Sequence, residues 1–137
     1  MLEGGSTITQ QVANNLYFIE EDVNPILRKV AEIFVAFDLE KQYSKNEILE
    51  LYINTIYFGD GYYGVKEACN GYVNKDPKDM TLYDATMLAG IPNAPSVYAP
   101  TVNPDLTRSR QEKVIQSMVK YLSLIHISEP TRQEAIS

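Results

Sequence analysis

The sequence predicts an all-α fold, because its strongest local signals are helix caps and its apolar residues recur at helical spacings. Five capping residues each precede an apolar stretch: Thr7, Asn24, Ser44, Thr81 and Asn103. Several are followed three residues later by Gln, Glu or Asp, which completes a capping box. The alternation of polar and apolar residues that is typical of strands is absent. A length of 137 residues predicts one domain with one modest core.

The first two predicted helices follow directly from these caps. Thr7 and Gln10 open a helix of about three turns after the Gly4-Gly5 turn. Asn24 as N-cap and Pro25 at the first helical position open the second. In the second helix, apolar residues recur at spacings of three and four and predict a stripe that faces the core. This stripe comprises Ile26, Val30, Ile33, Phe34 and Phe37.

The later elements are predicted from similar signals. Ser44 and Glu47 open a third helix that carries Ile48, Leu49, Tyr52, Ile53 and Ile56. Glycines and tyrosines in the segment 57–64 then interrupt regular structure. A short helix is predicted at Val65–Cys69, and another after the Thr81 cap. Four prolines between 92 and 104 predict an extended connection, and Asn103-Pro104 opens the last helix.

Composition excludes several classes of function. Apolar residues make up 45% and charged residues 22%, which is typical of a folded globular protein. The formal net charge of -6 argues against general nucleic-acid binding, which requires a basic face. Cys69 is the only cysteine, so neither a disulfide framework nor a cysteine metal site is expected. The sequence has no apolar run long enough for a transmembrane helix and no signal segment at its start.

The C-terminal segment 122–137 is predicted to be a non-native tail, and 1–121 the evolved domain. Its first part, LSLIHISEPTR, resembles the in-frame translation of a common transposase sequencing adaptor. The alternative is a short apolar strand that ends at Pro130. Because His126 lies in this tail, the only histidine is excluded as a catalytic base or metal ligand.

Two segments contain candidate functional residues. For each of them, the residue spacing is also compatible with a purely structural role. Arg28 and Glu32 are four residues apart, and Glu32 falls on the side of its helix away from the apolar stripe. They predict either an exposed ion pair or a carboxylate beside two cations, Arg28 and Lys29, that face an anionic leaving group. The helix start at Gly4–Gln11 suits a phosphate, but it also suits ordinary capping.

Two other features have weaker functional interpretations. The tyrosine-rich loop 57–64 could stack on sugar rings or lie on a membrane, or it could be a packed turn. Cys69 is predicted to be a small core residue and not a nucleophile, because no histidine partner remains for it.

Four consecutive motifs resemble signatures of the peptidoglycan glycosyltransferases, family 51 of the glycosyltransferases. They are GGSTITQQ (4–11), RKVAE (28–32), SKNEILELYINTIYFG (44–59) and RQEKVI (110–115). They occur in the family's order and span nearly all of residues 3–121. The resemblance implies a helical, lysozyme-like domain that joins a growing glycan, held on polyprenyl pyrophosphate, to the next lipid-linked disaccharide, lipid II.

The resemblance also implies roles for individual residues. The family uses two glutamates, and Glu32 matches the second, in RKxxE. The first acts as general base in an earlier motif resembling EDxxFxxHxG, which this sequence lacks, so the chain is expected to be an N-terminally truncated and inactive fragment. Glu50 matches the third motif in an architectural role. The residues implied in substrate binding are Ser6, Thr7, Gln11, Arg28, Lys29, Asn54 and Arg110.

Three positions depart from the family's usual pattern. Asn14 and Asn93 stand where lysine is common, and Gln111 replaces the second of a frequent arginine pair. The first two changes each remove a cation that could bind phosphate. Lipid affinity inferred from the resemblance is therefore less secure at these positions.

Several alternatives for the whole protein stay open. The parent could be a monofunctional transglycosylase or a class A penicillin-binding protein with a following transpeptidase domain. A non-catalytic module that binds lipid-linked sugars and a hydrolytic lysozyme-like enzyme are the other candidates. The implied partners are lipid II and the growing glycan. The resemblance also implies a location at the outer face of the bacterial plasma membrane, through an N-terminal anchor that this sequence lacks. No nucleic-acid partner is expected. No cofactor is evident from the sequence. The resemblance is compatible with a requirement for a divalent cation, but the sequence predicts no cluster of metal ligands.

Overall fold

A computed structural model describes residues 7–18 and 24–136, with the side chains of 123–136 left out. Within that part the chain is helical and forms no strand, apart from one isolated antiparallel bridge between Tyr57 and Tyr63. None of its described helices is both long and apolar enough to cross a membrane. The all-α prediction is confirmed. The helices are α1 (Ile8–Tyr17), α2 (Pro25–Gln42), α3 (Lys45–Thr55), α4 (Val65–Val73), α5 (Leu82–Gly90), α6 (Pro95–Tyr98) and α7 (Pro104–Ile136), with a 3-10 turn at Pro77–Asp79.

The predicted helix starts are confirmed by the hydrogen bonds of their caps. Thr7, Ser44 and Thr81 each form a reciprocal capping box at the start of α1, α3 and α5. The Asn24 side chain accepts from the backbone of the first turn of α2, and Asn103 does the same for α7. These bonds satisfy backbone N–H groups that have no partner inside the helix. Local sequence therefore determines where each of these helices begins.

Two apolar clusters form the core, and Tyr52 of α3 packs against both. The first joins α3, α4, α5 and the loop after α3. Its buried members are Ile56, Phe58, Ala68, Cys69, Leu88 and Ile91. The second joins α1, α2 and α3, and its buried members are Val12, Ala13, Leu39 and Ile48. Cys69 is fully buried, as predicted for a core residue, and burial raises the pKa of its thiol.

The predicted core-facing stripe of α2 is wrong. Phe34 and Phe37 are 68% and 59% exposed, and Ile26 and Val30 are exposed as well. The helix buries its opposite face, on which Glu32, Ala36 and Leu39 lie. Periodicity shows which residues share a face but not which face meets a neighbour. Here the small Ala36 and the polar contacts to α1 place the other face inward.

The tyrosine-rich loop is a packed turn, which was the plain interpretation of the sequence. The rings of Tyr57 and Tyr63 lie 4.8 Å apart, and those of Tyr62 and Tyr72 meet edge to face at 5.0 Å. The Tyr72 hydroxyl donates to the Phe58 carbonyl at 2.8 Å. Aromatic pairs and this hydrogen bond therefore stabilise the segment between α3 and α4.

Three predicted boundaries need correction. The short fourth helix continues beyond Cys69 to Val73. The proline-rich connection is not wholly extended, because Pro95 starts the one-turn helix α6. Residues 122–136 continue α7, so the alternative of a short strand ending at Pro130 is wrong. The boundary between the domain and a non-native tail stays a prediction.

A salt bridge joins the segment after α4 to the first turn of α5. Lys75 Nζ lies 2.6 Å from Asp84 Oδ2, which also accepts from the Thr81 backbone N–H at 3.0 Å. The Asp84 side chain is only 9% exposed. The hydrogen bond from Lys75, with those from Thr81, holds the pKa of Asp84 below its ordinary value.

Asp84→Asn is expected to make the stability of the chain less sensitive to pH in the acidic range. Because the pKa of Asp84 is lower in the folded chain than in the unfolded chain, its stabilisation is present above pH of about 4 and is lost as the pH falls through the folded value. The urea midpoint of the wild-type chain should therefore fall more steeply below that pH than the midpoint of the variant. Asp38→Asn, at an exposed carboxylate of α2, is the matched control. Parallel pH profiles for wild type and Asp84→Asn would contradict the expectation.

Candidate functional site

Helices α1 and α2 form an antiparallel pair that polar contacts join near both ends. Thr9 Oγ1 donates to Glu40 Oε1 at 3.0 Å, so an early residue of α1 meets a late residue of α2. Arg28 Nη2 donates to Asn14 Oδ1 at 2.5 Å, which joins the opposite ends. Val12, between these contacts along α1, is fully buried. The pairing therefore sets the charged residues of α2 beside the amides of α1.

Glu32 is a buried carboxylate on the inner face of α2. The residue is 7% exposed, and Lys29 Nζ lies 3.3 Å from its Oε1. Arg28 lies one turn earlier and bonds to Asn14. A buried carboxylate needs a partner, and Lys29 supplies the positive charge. The Lys29 side chain is 47% exposed, so the pair reaches the surface and is accessible to a ligand.

The predicted exposed ion pair between Arg28 and Glu32 is therefore wrong. Glu32 is buried and pairs with Lys29, three residues away, while Arg28 turns to α1. The other predicted arrangement, a carboxylate beside two cations that face a leaving group, stays a prediction; the structure pairs Glu32 with Lys29 and places Arg28 one turn earlier. Its chemistry would be electrostatic: fixed cations stabilise charge that develops on a departing phosphate.

The start of α1 lies farther along the pair. Thr7 and Gln10 border a small cleft with Phe37 and Glu40, near the end of α2. At about 1.5 Å per residue, Glu40 stands about 12 Å from Glu32 along the helix axis. The Thr7 hydroxyl accepts from the Gln10 backbone N–H, and this bond is ordinary capping. Ser6 and Gly4-Gly5, the rest of this predicted phosphate site, lie outside the described residues.

A polar cleft of about 270 Å³ opens on another side of α1, and we call it the amide cleft. Gln11, Asn14 and Asn15 contribute three amides, while α3 and the segments after α3 and α5 contribute aromatic, aliphatic and proline side chains. These are Tyr52, Ile56, Tyr57, Pro92 and Pro95. Amides and aromatic rings are the groups that bind sugar hydroxyls and ring faces. Asn14 belongs to this cleft and also to the bond with Arg28.

Sequence reasoning missed Asn15 and Tyr57 as members of this cleft. The run of amides at positions 10, 11, 14 and 15 gave a signal, because residues three and four apart share a helix face. The contribution of Pro92 and Pro95 had no comparable signal, since it depends on how the segment after α5 folds back. Asn93, one of the predicted departures, is exposed beside Pro92.

Arg110, the predicted substrate-binding residue of the last motif, sits against α5 and α6. Its guanidinium carbon lies 5.7 Å from the centre of the Tyr98 ring, a cation–π contact. A Cβ added to Gly90 would lie 2.8 Å from Arg110 Cγ. In the described part of the chain, Arg110 Nε is buried without a hydrogen-bond partner. The structure thus places Arg110 in a different set of contacts from Arg28 and Glu32.

The third motif contributes Glu50 and Asn54, both exposed on α3. The Asn54 backbone carbonyl packs against Gly64, where an added Cβ would approach within 2.5 Å. This contact holds the end of α3 against the start of α4. Among the described residues, no group of three or more His, Cys, Asp or Glu side chains could hold a metal ion.

Gln111 stands in for an arginine of the usual motif and joins α7 to α5. The residue is 4% exposed, and its Nε2 donates to the Tyr83 carbonyl at 3.0 Å and to Thr86 Oγ1 at 3.1 Å. A neutral amide is suited to this position, because a buried charge without a counter-charge is costly.

Gln111→Leu is expected to lower the free energy of unfolding by about 1–3 kcal/mol, because it removes two buried hydrogen bonds and leaves their acceptors with fewer donors. Urea unfolding of the chain measures the change. Gln116→Leu, at an exposed position of the same helix, should change stability by less than about 0.5 kcal/mol. Equal effects of the two substitutions would show that the bonds of Gln111 are not stabilising.

Comparison with known proteins identifies close relatives of the chain. Residues 1–119 match the family described as Transglycosylase. Penicillin-binding protein 1F of Bacillus subtilis is 44% identical over 117 residues, 85% of this chain and 16% of that protein. Penicillin-binding protein 1A of Neisseria lactamica is 47% identical over 120 residues, 88% of the chain and 15% of that protein. Penicillin-binding protein 4 of Bacillus subtilis is 44% identical over 116 residues, 85% of the chain. The chain thus spans 14–18% of the length of these and similar relatives.

Proposed function

Because the chain belongs to the transglycosylase family, we propose that its parent protein is a glycosyltransferase that polymerises lipid II into glycan strands. The reaction joins an acceptor hydroxyl to the anomeric carbon of the donor sugar and breaks the bond from that carbon to the polyprenyl diphosphate. Negative charge develops on the departing diphosphate oxygens, and a base must take the hydroxyl proton.

The observation that carries this proposal is the ion pair between the buried Glu32 and the exposed Lys29, beside Arg28. Two cations and a carboxylate follow one another on the side of α2 that meets α1. We assign Arg28 and Lys29 to the departing diphosphate. Glu32 is the proposed catalytic residue on this leaving-group side, where its carboxylate fixes the ammonium of Lys29 that stabilises the departing oxygens. The general base would come from the family's EDxxFxxHxG-like motif, which is not in this sequence.

The remaining predicted site residues are proposed to contact other parts of the substrate. Gln11 borders the amide cleft, whose size and chemistry suit part of a sugar. Ser6 and Thr7, at the start of α1 and apart from Arg28, are proposed to contact another part of the lipid-linked substrate, and Asn54 and Arg110 to support binding. The acidic net charge of -6 makes these local cations necessary for an anionic substrate.

The relatives favour a bifunctional parent over a monofunctional one. They are penicillin-binding proteins, and the matched region is 14–18% of their length. We infer that the parent is a class A penicillin-binding protein that acts at the outer face of the bacterial plasma membrane. A membrane anchor before this region and a transpeptidase domain after it are parts of that proposal.

Lipid II polymerisation by the parent protein tests the proposed function. Reconstituted in detergent or lipid, it should convert labelled lipid II into long glycan that a muramidase digests, with release of polyprenyl diphosphate. A folded parent that yields no polymer would contradict the proposal, and one that shortens existing glycan would favour the hydrolytic alternative. A fluorescent penicillin should label the parent covalently if it is bifunctional, and leave it unlabelled if it is monofunctional.

A further inference from the structure

We propose that Asn14 is a positioning residue that holds the guanidinium of Arg28 at the border of the amide cleft. This inference rests on the proposed function, because it assigns Arg28 to the departing diphosphate. Asn14 would act through Arg28 and not through contact with the reacting atoms.

The geometry supports a positioning role in two ways. The bond from Arg28 Nη2 to Asn14 Oδ1 crosses from α2 to α1 and is partly buried. It therefore restricts a long side chain that would otherwise have many rotamers. Asn14 also lines the amide cleft with Gln11 and Asn15, so the residue that accepts from the guanidinium borders a space that a ligand can enter.

The charge of the acceptor matters as much as its position. An amide oxygen accepts a hydrogen bond without cancelling the positive charge of the guanidinium, whereas a carboxylate would neutralise it. The nearby carboxylate, Glu32, pairs with Lys29. A guanidinium has five N–H donors, so one bond to Asn14 leaves others that can meet phosphate oxygens. Arg28 is thus both fixed and charged.

Asn14→Ala in the parent enzyme tests the proposal. We expect kcat for lipid II polymerisation to fall about tenfold with KM little changed, because a charged hydrogen bond of this kind acts on charge that develops in the transition state. Arg28→Ala should lower kcat further. In the Arg28→Ala background, Asn14→Ala should have almost no additional effect, since its action depends on Arg28. Additive losses would overturn the proposal.

Asn14→Asp separates position from charge and keeps the size of the side chain. It retains the hydrogen bond but neutralises Arg28, so kcat should again fall about tenfold or more, without loss of thermal stability. Wild-type kcat in this variant would also overturn the proposal. Asn70→Ala, at an exposed position of α4, is the matched control and should retain wild-type kcat.

The outcomes distinguish this inference from the proposed function. If the wild-type parent makes no polymer, the proposed function fails. If it makes polymer and Asn14→Ala matches it, the proposed function stands and the positioning role of Asn14 is refuted. Melting temperatures of all variants identify any that fail to fold, and Asn14→Asp then provides the deciding measurement.

Discussion

Glu32→Gln in the parent enzyme is expected to reduce the rate of lipid II polymerisation about a hundredfold or more. Loss of one electrostatic or proton-transfer group at a reacting centre has an effect of about this size. The amide has nearly the shape of the carboxylate, but it carries no negative charge to hold Lys29. The initial rate of polymer formation measures the loss, and circular dichroism and melting temperature report whether the fold is kept.

Asp38→Asn is the matched control for this prediction. It makes the same chemical change on the same helix, but at an exposed position. It should retain the wild-type rate. A well-folded Glu32→Gln enzyme that polymerises at the wild-type rate would remove Glu32 from the mechanism, whatever Asp38→Asn does.

Gly64→Ala is expected to destabilise the chain by about 3–5 kcal/mol, which is exceptional for one added methyl group. Gly64 precedes α4 with φ 84° and ψ 154°, a backbone conformation that is essentially restricted to glycine. A Cβ there would also lie 2.5 Å from the Asn54 carbonyl oxygen, which is backbone and cannot rotate away. Urea unfolding of wild type and variant measures the difference in free energy.

Gly61→Ala separates the two causes of this effect. Gly61 also has a positive φ, 79°, but nothing lies within 4 Å of an added Cβ. Its substitution should cost only the conformational term, about 1–2 kcal/mol. If both alanines destabilise the chain equally, the contact between Gly64 and Asn54 contributes nothing, and the argument from close approach is wrong.

The helix starts could be predicted from the sequence because their causes are local. A capping box needs only the residues from N-cap to N3, and Thr7, Ser44 and Thr81 form the bonds that their sequence predicts. The ends of the helices are harder to predict from local sequence. Helix α4 runs four residues beyond the predicted end, where Asn74 adopts a left-handed conformation and ends it.

The orientation of α2 could not be predicted, because it depends on partners far along the chain. The apolar stripe with Phe34 and Phe37 has a strong helical period, yet the side that meets α1 carries Glu32 and Ala36. The sequence also identified Arg28, Lys29 and Glu32 as a group. It did not indicate that Arg28 would bond to Asn14, since that contact requires the register of two helices.

Tyr52 is the side chain through which the two apolar clusters meet, because it packs against both. The half of the chain that carries Glu32 is therefore mechanically coupled to the half that carries Cys69. We expect them to melt in one cooperative transition, with amide protons of α1 and α5 exchanging at similar free energies. A substitution that separates the two clusters at Tyr52 is accordingly expected to loosen the packing around Glu32 from a distance.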